Sequence, residues 1–162
     1  MSGMSNQAGT GEKACRKKRP VDLKTARRML PLVQRIVVDI VHDAQELNKY
    51  TFEQEGLDRN RTDLSWPERQ RRYTVQGEVA RLTSRLEEEK RELDSLGAVL
   101  FNPPAIGLVG FPTIVNDRQA YFSWRLGEES LNFWHFDGEE KSREPIPPNL
   151  EEANSGRVIN HN

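Results

Sequence analysis

The sequence predicts an α+β protein, in which a long antiparallel helical hairpin is followed by a small antiparallel β-sheet near the C-terminus. Over two long stretches, apolar residues recur at alternating spacings of three and four, the pattern of helices packed lengthwise. After residue 97 this period stops, and short apolar runs alternate with glycine and proline, which is typical of strands and turns. We therefore expect a single domain over residues 21–145.

The first helix is predicted over residues 23–55. Asp22 is a suitable N-cap residue, and Gly56 is the expected stop. Pro31 lacks an N–H and crowds the preceding turn, so we expect the helix to break there. The apolar stripe has the 3.5-residue repeat of a helical bundle and consists of Ala26, Leu30, Val33, Val37, Ile40, Ala44 and Leu47.

The second helix is predicted over residues 66–96. Ser65 and Glu68 have the spacing of a capping box, and Pro67 suits the first turn. Glu89 stands where one apolar residue of the stripe is missing; the stripe consists of Val75, Val79, Leu82, Leu86, Leu93 and Leu96. A two-helix hairpin buries only one seam, so we expect a homodimer that completes a four-helix bundle.

Four strands are predicted in the remainder of the domain, over residues 98–101, 106–111, 119–126 and 131–136. The last two flank Gly127–Ser130 and form a predicted hairpin. By the period of two, Phe122, Trp124 and Leu126 share one face, and Tyr121, Ser123 and Arg125 share the other. The proline-rich segment 143–148 is predicted to be an extended strap.

The two ends of the chain are predicted to be disordered tails, at residues 1–20 and 146–162. The first is basic, and its alternative interpretation is an arm for nucleic acid or an acidic partner. A net charge of −1 makes nucleic acid an unexpected partner for the whole protein. The single cysteine, the lack of an apolar run of membrane-spanning length and the lack of a secretory signal predict a cytoplasmic protein.

Four short motifs resemble those of a bacterial family of uncharacterised proteins, known only as a domain of unknown function. They are Leu30-Pro31, Gly107–Pro112, Trp124–Glu128 and Trp134-His135, and the resemblance extends over residues 21–145. The most specific part is Trp-Arg-Leu-Gly-Glu followed by Trp-His. The resemblance implies a shared fold and a shared motif. It implies nothing about activity, because no activity is known for the family.

The sequence departs from similar sequences at two places. An acidic residue often stands between the valine and the Phe-Pro step, where this chain has Gly110. Members also tend to have Gly-Phe and then Arg-x-Pro after the histidine, and here only Arg143-Glu-Pro145 is clear. A role for a carboxylate at position 110 therefore does not carry over.

The candidate ligand-binding residues are Arg125, Glu128 and His135, framed by Trp124 and Trp134. An arginine fork, a carboxylate and a histidine between aromatic rings suit an anionic or planar ligand, and histidine can act as an acid or base near neutral pH. In the alternative interpretation these residues are structural. Arginine and glutamate then stabilise the hairpin turn, and the histidine ring packs on the helices.

Metal and cofactor sites are not assigned. Asp39, His42, Asp43 and Glu46 have helical spacing and could form a carboxylate and histidine site across a dimer. Their positions lie away from the apolar seam, which is more typical of a solvated face. No zinc spacing, phosphate loop or nucleophile motif is present, so no cofactor and no catalytic residue is expected.

The function best supported by the sequence is an interaction or assembly module that dimerises through its helices and presents the aromatic hairpin to a protein partner or small ligand. An alternative is a ligand-binding protein or enzyme that uses Arg125, Glu128 and His135. A third is a nucleic-acid accessory protein that uses the basic tail.

Overall fold

A computed structural model describes residues 18–150 of the chain. Helix α1 (Leu23–Arg59) and helix α2 (Trp66–Ser95) pack together as a hairpin, and a five-stranded antiparallel sheet follows them. The α+β prediction is thus confirmed. The two predicted tails fall mostly outside the described residues. In the described part of the chain, neither helix has the length and apolar character needed to cross a membrane.

The sheet is a meander, in which each strand pairs with its neighbour in sequence. Short 3-10 helices precede the second strand, at Pro104–Ile106, and the last strand, at Glu140–Ser142. The strands, in chain order, are β1 (Val99–Leu100), β2 (Leu108–Val115), β3 (Arg118–Arg125), β4 (Phe133–Phe136) and β5 (Glu144–Pro145).

Helix α1 is continuous over 37 residues, so the predicted break at Pro31 and the predicted stop at Gly56 are both wrong. Pro31 lies on the exposed side of the helix, where its ring meets solvent. The backbone hydrogen bond lost at Pro31 is offset because buried leucine and valine side chains hold the helix on both sides of it. Past Gly56, an ion pair between Asp58 and Arg72 of α2 holds the last turn, with a shortest distance of 2.6 Å.

Helix α2 begins as predicted. The Glu68 carboxylate accepts hydrogen bonds from the Ser65 backbone N–H, at 2.7 Å, and from the Ser65 hydroxyl, at 2.6 Å. This capping box satisfies donors that the first helical turn leaves without partners. The helix ends at Ser95, one residue before the predicted boundary, and Gly97 follows with a φ of +81°.

Strand β2 is longer than predicted because it continues through Pro112 to Val115. Strand β1 pairs only with Val109 and Gly110 of β2. From Phe111 onward, the same edge of β2 does not pair with β1. Pro112 therefore needs no N–H on that side, and its carbonyl accepts a hydrogen bond from Val21 N–H at 2.7 Å.

The tightest hairpin joins β2 to β3 through a two-residue turn. Asn116 and Asp117 have φ values of +50° and +60°, as a type I′ turn requires. These side-chain types tolerate positive φ. The predicted hairpin between residues 119–126 and 131–136 also exists, with a longer connection between β3 and β4.

One face of β2 and β3 packs on the helices and forms the core. Phe122 and Trp124 point into it, as predicted, while Tyr121 and Ser123 lie on the opposite, outer face. The buried helix residues in this core come from α1 up to Ala44 and from α2 at Leu86 and Leu93; their sheet partners are Val109, Phe111, Phe122 and Trp124.

The other half of the hairpin, residues 45–85, extends beyond the sheet, and we call it the distal hairpin. Its fully buried apolar residues are Leu64, Val75 and Leu82, all outside the core cluster. A bidentate ion pair between Arg71 and Glu53, at 2.6 and 2.9 Å, links the two helices there. Surface ion pairs contribute little to stability, so the distal hairpin is the weaker half.

Gly107 sets how closely the sheet approaches α1. Its φ is +68°, and a Cβ atom there would lie 2.8 Å from Val41 Cγ2 and 3.0 Å from Leu126 Cβ. Both the left-handed backbone and the tight contact require glycine at this position.

We predict that Gly107→Ala lowers the free energy of unfolding by about 2–4 kcal/mol, because it combines backbone strain with overpacking against Val41. Urea unfolding followed by circular dichroism measures the change. Gly77→Ala is the matched control: no atom lies near its Cβ position in α2, so it should stabilise by about 0.5–1 kcal/mol. Equal effects of the two substitutions would contradict this account of Gly107.

Candidate functional site

The structure does not bring Arg125, Glu128 and His135 together as one site. Arg125 is exposed at the end of β3, Glu128 is half-buried in the following turn, and His135 is buried in β4. Each has different partners. Their role in ligand binding stays a prediction, and Arg125 and His135 line two different cavities.

Glu128 is held by Arg143, which the sequence analysis did not assign to the site. Arg143 Nη1 and Nη2 donate to the two Glu128 oxygens at 2.7 and 2.8 Å, a bidentate pair. The same guanidinium donates to the Ser123 hydroxyl at 2.9 Å and to the Ser123 carbonyl at 3.0 Å. It also lies over the Phe133 ring, 4.8 Å from the centroid. Arg143 thus fastens the C-terminal strap to the outer face of the sheet.

The carboxyl group of Glu128 is in its charged form for structural reasons. Partial burial opposes ionisation, but hydrogen bonds from Arg143 and from the Arg125 backbone N–H together lower its pKa below the ordinary value. Its main-chain carbonyl accepts a hydrogen bond from Trp124 Nε1 at 2.9 Å. The sequence predicted an arginine–glutamate pair at this turn, and the structure supplies Arg143 in place of Arg125.

His135 belongs to a cluster of aromatic rings on the outer face. Its ring lies 5.2 Å from Phe101 and 5.6 Å from Tyr121, centroid to centroid, and its side chain is 2% exposed. Nδ1 lies 2.9 Å from the Phe136 carbonyl oxygen, which fixes Nδ1 as the protonated nitrogen. Nε2 is buried and has no hydrogen-bond partner among residues 18–150. His135 lines a small cavity of about 100 Å³ together with Trp134 and Phe136, and its buried ring packs against Phe101 and Tyr121.

Gly110 makes room for this aromatic cluster. A Cβ atom at Gly110 would lie 2.7 Å from the Phe101 ring and 2.9 Å from Tyr121 Cβ. The acidic residue that similar sequences often carry at this position would therefore collide with Phe101 and Tyr121. In this chain an aromatic contact occupies the space.

The two tryptophans have different surroundings, and Trp134 lines the small cavity at His135. Trp124 is fully buried in the core between sheet and helices, and Trp134 is half-buried against the same core. Phe122, Trp124 and Trp134 thus belong to the core, whereas the side chain of Arg125 is exposed. The Arg125 backbone N–H donates to the Glu128 carboxylate at 2.9 Å, and the Arg125 carbonyl accepts from the Glu128 backbone N–H at 3.0 Å. The Arg125 side chain forms no hydrogen bond in the described part of the chain.

A second cluster, which the sequence analysis did not recognise, lies between the helices. Asp43 of α1 is 1% exposed, and Glu89 of α2 lies near it, with a buried Oε2 that has no hydrogen-bond partner among residues 18–150. Arg85 Nε lies 3.0 Å from Asp43 Oδ2, without the geometry of a hydrogen bond, so Oδ2 accepts none among residues 18–150. His42 Nδ1 lies 3.1 Å from Asp43 Oδ1. Placing Asp43 on a solvated face was therefore wrong.

One feature of the sequence indicated this cluster. Glu89 stands at a position of the α2 stripe where an apolar residue is expected. Burial and the nearby Asp43 carboxylate together raise the pKa of Glu89 to about 7, and Arg85 opposes the shift only in part. A protonated Glu89 can donate to Asp43, whereas two charged carboxylates would repel each other in a site with little water.

In the described part of the chain, no group of three or more histidine, cysteine, aspartate or glutamate side chains is placed to hold a metal ion. Of the basic N-terminal residues, Lys18 forms an ion pair with Asp94 and donates to the Ala98 carbonyl. Lys18 is therefore engaged within the fold, and most of the basic tail lies outside the described residues.

We predict that Arg143→Met lowers the free energy of unfolding by about 1–3 kcal/mol, because it leaves the partly buried Glu128 carboxylate without its cation. Arg125→Met, the matched control on the same turn, should change it by no more than about 0.5 kcal/mol, since its side chain is exposed. Urea unfolding at neutral pH measures both. A larger loss for Arg125→Met than for Arg143→Met would show that the sequence-predicted pair is the stabilising one.

We predict that Glu89→Gln stabilises the protein at pH 8 by on the order of 2 kcal/mol and has a much smaller effect at pH 5. The folded-state pKa of Glu89, about 7, lies above the ordinary value of 4.5. Its contribution is therefore fully present below the unfolded-state pKa and is lost as pH rises to about 7. Urea unfolding at the two pH values tests this. Glu88→Gln, an exposed neighbour, is the control, and the same pH response in both variants would contradict the assignment.

Comparison with known proteins gives one match. No curated protein and no solved structure matches the chain significantly. A family model described as an uncharacterized conserved protein (DUF2203) matches residues 19–146, which include both helices and all five strands. The chain therefore belongs to the DUF2203 family of uncharacterized conserved proteins.

Proposed function

We propose that this protein is a cytoplasmic assembly module that forms a homodimer through its distal hairpin. The observation that carries the proposal is the exposure of three large aromatic side chains in a half of the hairpin that the sheet does not cover. Phe52, Trp66 and Tyr73 are 73%, 66% and 68% exposed. Contiguous exposed apolar patches mark interaction sites, and all three of these side chains lie in the distal hairpin.

The distal hairpin leaves several apolar side chains only partly covered. Leu47, Leu57 and Val79 are only half-buried there, although Leu47 and Val79 are positions of the apolar stripes. A helix pair with one seam leaves the outer part of each stripe in water. A second pair of helices would cover these residues and complete a four-helix bundle.

Charge favours a second copy of the same chain as the partner. Residues 45–59 of α1 carry four acidic and two basic side chains, whereas residues 66–85 of α2 carry five basic and two acidic ones. In a two-fold symmetric dimer, α1 of each protomer can lie against α2 of the other. Segments of opposite net charge then meet at both contacts, in addition to the Arg71–Glu53 and Arg72–Asp58 pairs within each protomer, and this favours the pairing over like-with-like pairing.

We predict that the purified chain sediments as a dimer at micromolar concentration and that Phe52→Asp combined with Tyr73→Asp converts it to a monomer. Burying two unpaired carboxylates in an apolar interface is costly, while in the monomer both positions are exposed and the fold is retained. Sedimentation velocity measures the oligomeric state, and circular dichroism checks the helix content.

Ile114→Asp is the control, since Ile114 is an exposed apolar residue on the sheet and its substitution should leave the dimer intact. A monomeric wild-type protein, or a dimer that Ile114→Asp disrupts and the helix variant does not, would refute dimerisation through the distal hairpin.

A further inference from the structure

An open cavity of about 520 Å³ lies on the outer side of the sheet, next to the exposed arginine of the Trp-Arg-Leu-Gly-Glu motif. It is bounded by the connection between β1 and β2, by the end of β3 and by the 3-10 helix Glu140–Ser142. The volume lies within the range of small-molecule sites in proteins. Its apolar lining includes Leu100, Phe101, Ile106 and Leu108.

Two cations line the same cavity. Arg125 and Lys141 are exposed, and neither side chain forms a hydrogen bond or an ion pair with residues 18–150. Glu128, the acid nearest to Arg125 in sequence, has both carboxylate oxygens bound by Arg143. The Arg143 fork therefore leaves the Arg125 guanidinium available, and Glu140 is the one acidic residue in the lining.

We propose that this cavity binds a small organic anion, with a carboxylate or phosphate on Arg125 and Lys141 and a compact apolar body over Ile106 and Leu108. Arginine offers a planar fork that matches both kinds of head group, and lysine adds a point charge. A free inorganic anion would leave the apolar lining of the cavity in contact with water. The lining therefore favours an anion with an apolar body. The inference does not depend on dimerisation.

The test is an NMR titration of the full chain with benzoate, phenyl phosphate and the uncharged benzyl alcohol. We expect the two anions to shift the backbone amide signals of Ile106, Leu108 and Lys141 and to leave that of Ile114 unchanged. Benzyl alcohol should bind at least roughly tenfold more weakly than benzoate, because it lacks the charge-assisted hydrogen bonds. The tighter of the two anions identifies the preferred head group.

Variants locate the binding residues. Arg125→Gln and Lys141→Gln should each weaken anion binding, and the first should do so by roughly tenfold or more. Lys24→Gln removes an exposed cation at the start of α1, outside the lining of the cavity, and should leave the affinity unchanged. Both residues of the cavity are exposed and without partners, so the variants retain the fold.

Three results would overturn the proposal. The first is the absence of shifts at these amides with either anion. The second is equal affinity for benzyl alcohol and benzoate, which would indicate a merely apolar groove. The third is an affinity that Arg125→Gln and Lys24→Gln reduce to the same extent, which would indicate a general charge effect.

Discussion

The difference in length between the helices and the strands governs this structure. A helix of 37 residues extends about 55 Å, at 1.5 Å per residue. A strand of eight residues extends only about 26 Å, at 3.3 Å per residue. Even when aligned lengthwise, a sheet built from such strands cannot cover the hairpin. The core therefore ends near Ala44 and Leu86, and the molecule divides into a covered half and a distal hairpin.

The buried acid pair lies at the boundary between these halves. Asp43 adjoins Ala44, the last core residue of α1, and Glu89 lies between Leu86 and Leu93, the two core residues of α2. Two apolar side chains at the same place would pack without any buried charge. The polar group of Asp43, Glu89 and Arg85 is therefore less stabilising than such an apolar pair, but it defines how the helices pair. Because polar partners must match in position, such a layer fixes the register of α1 against α2.

The features that could be predicted from the sequence are local. The apolar stripes and the Ser65–Glu68 capping box depend on neighbouring residues, and both helices begin where these signals predict. The behaviour of Pro31 and Pro112 could not be predicted, because it depends on which side of a helix or strand meets other elements. Likewise, nothing in the spacing of Glu128 and Arg143 indicates a pair, since the strap that joins them follows a path set by tertiary packing. The candidate site changed accordingly, from a triad to one free arginine beside a cavity.

The late position of Arg143 in the chain has a consequence during synthesis. All elements up to β4 leave the ribosome before it does, so a chain that stops earlier has a partly buried Glu128 without a cation and a β4 edge without β5. An unpaired strand edge and an unbalanced charge favour local opening, and proteases cleave opened segments. A chain truncated before Arg143 should therefore open more readily at β4 than one that contains the Arg143–Glu128 pair.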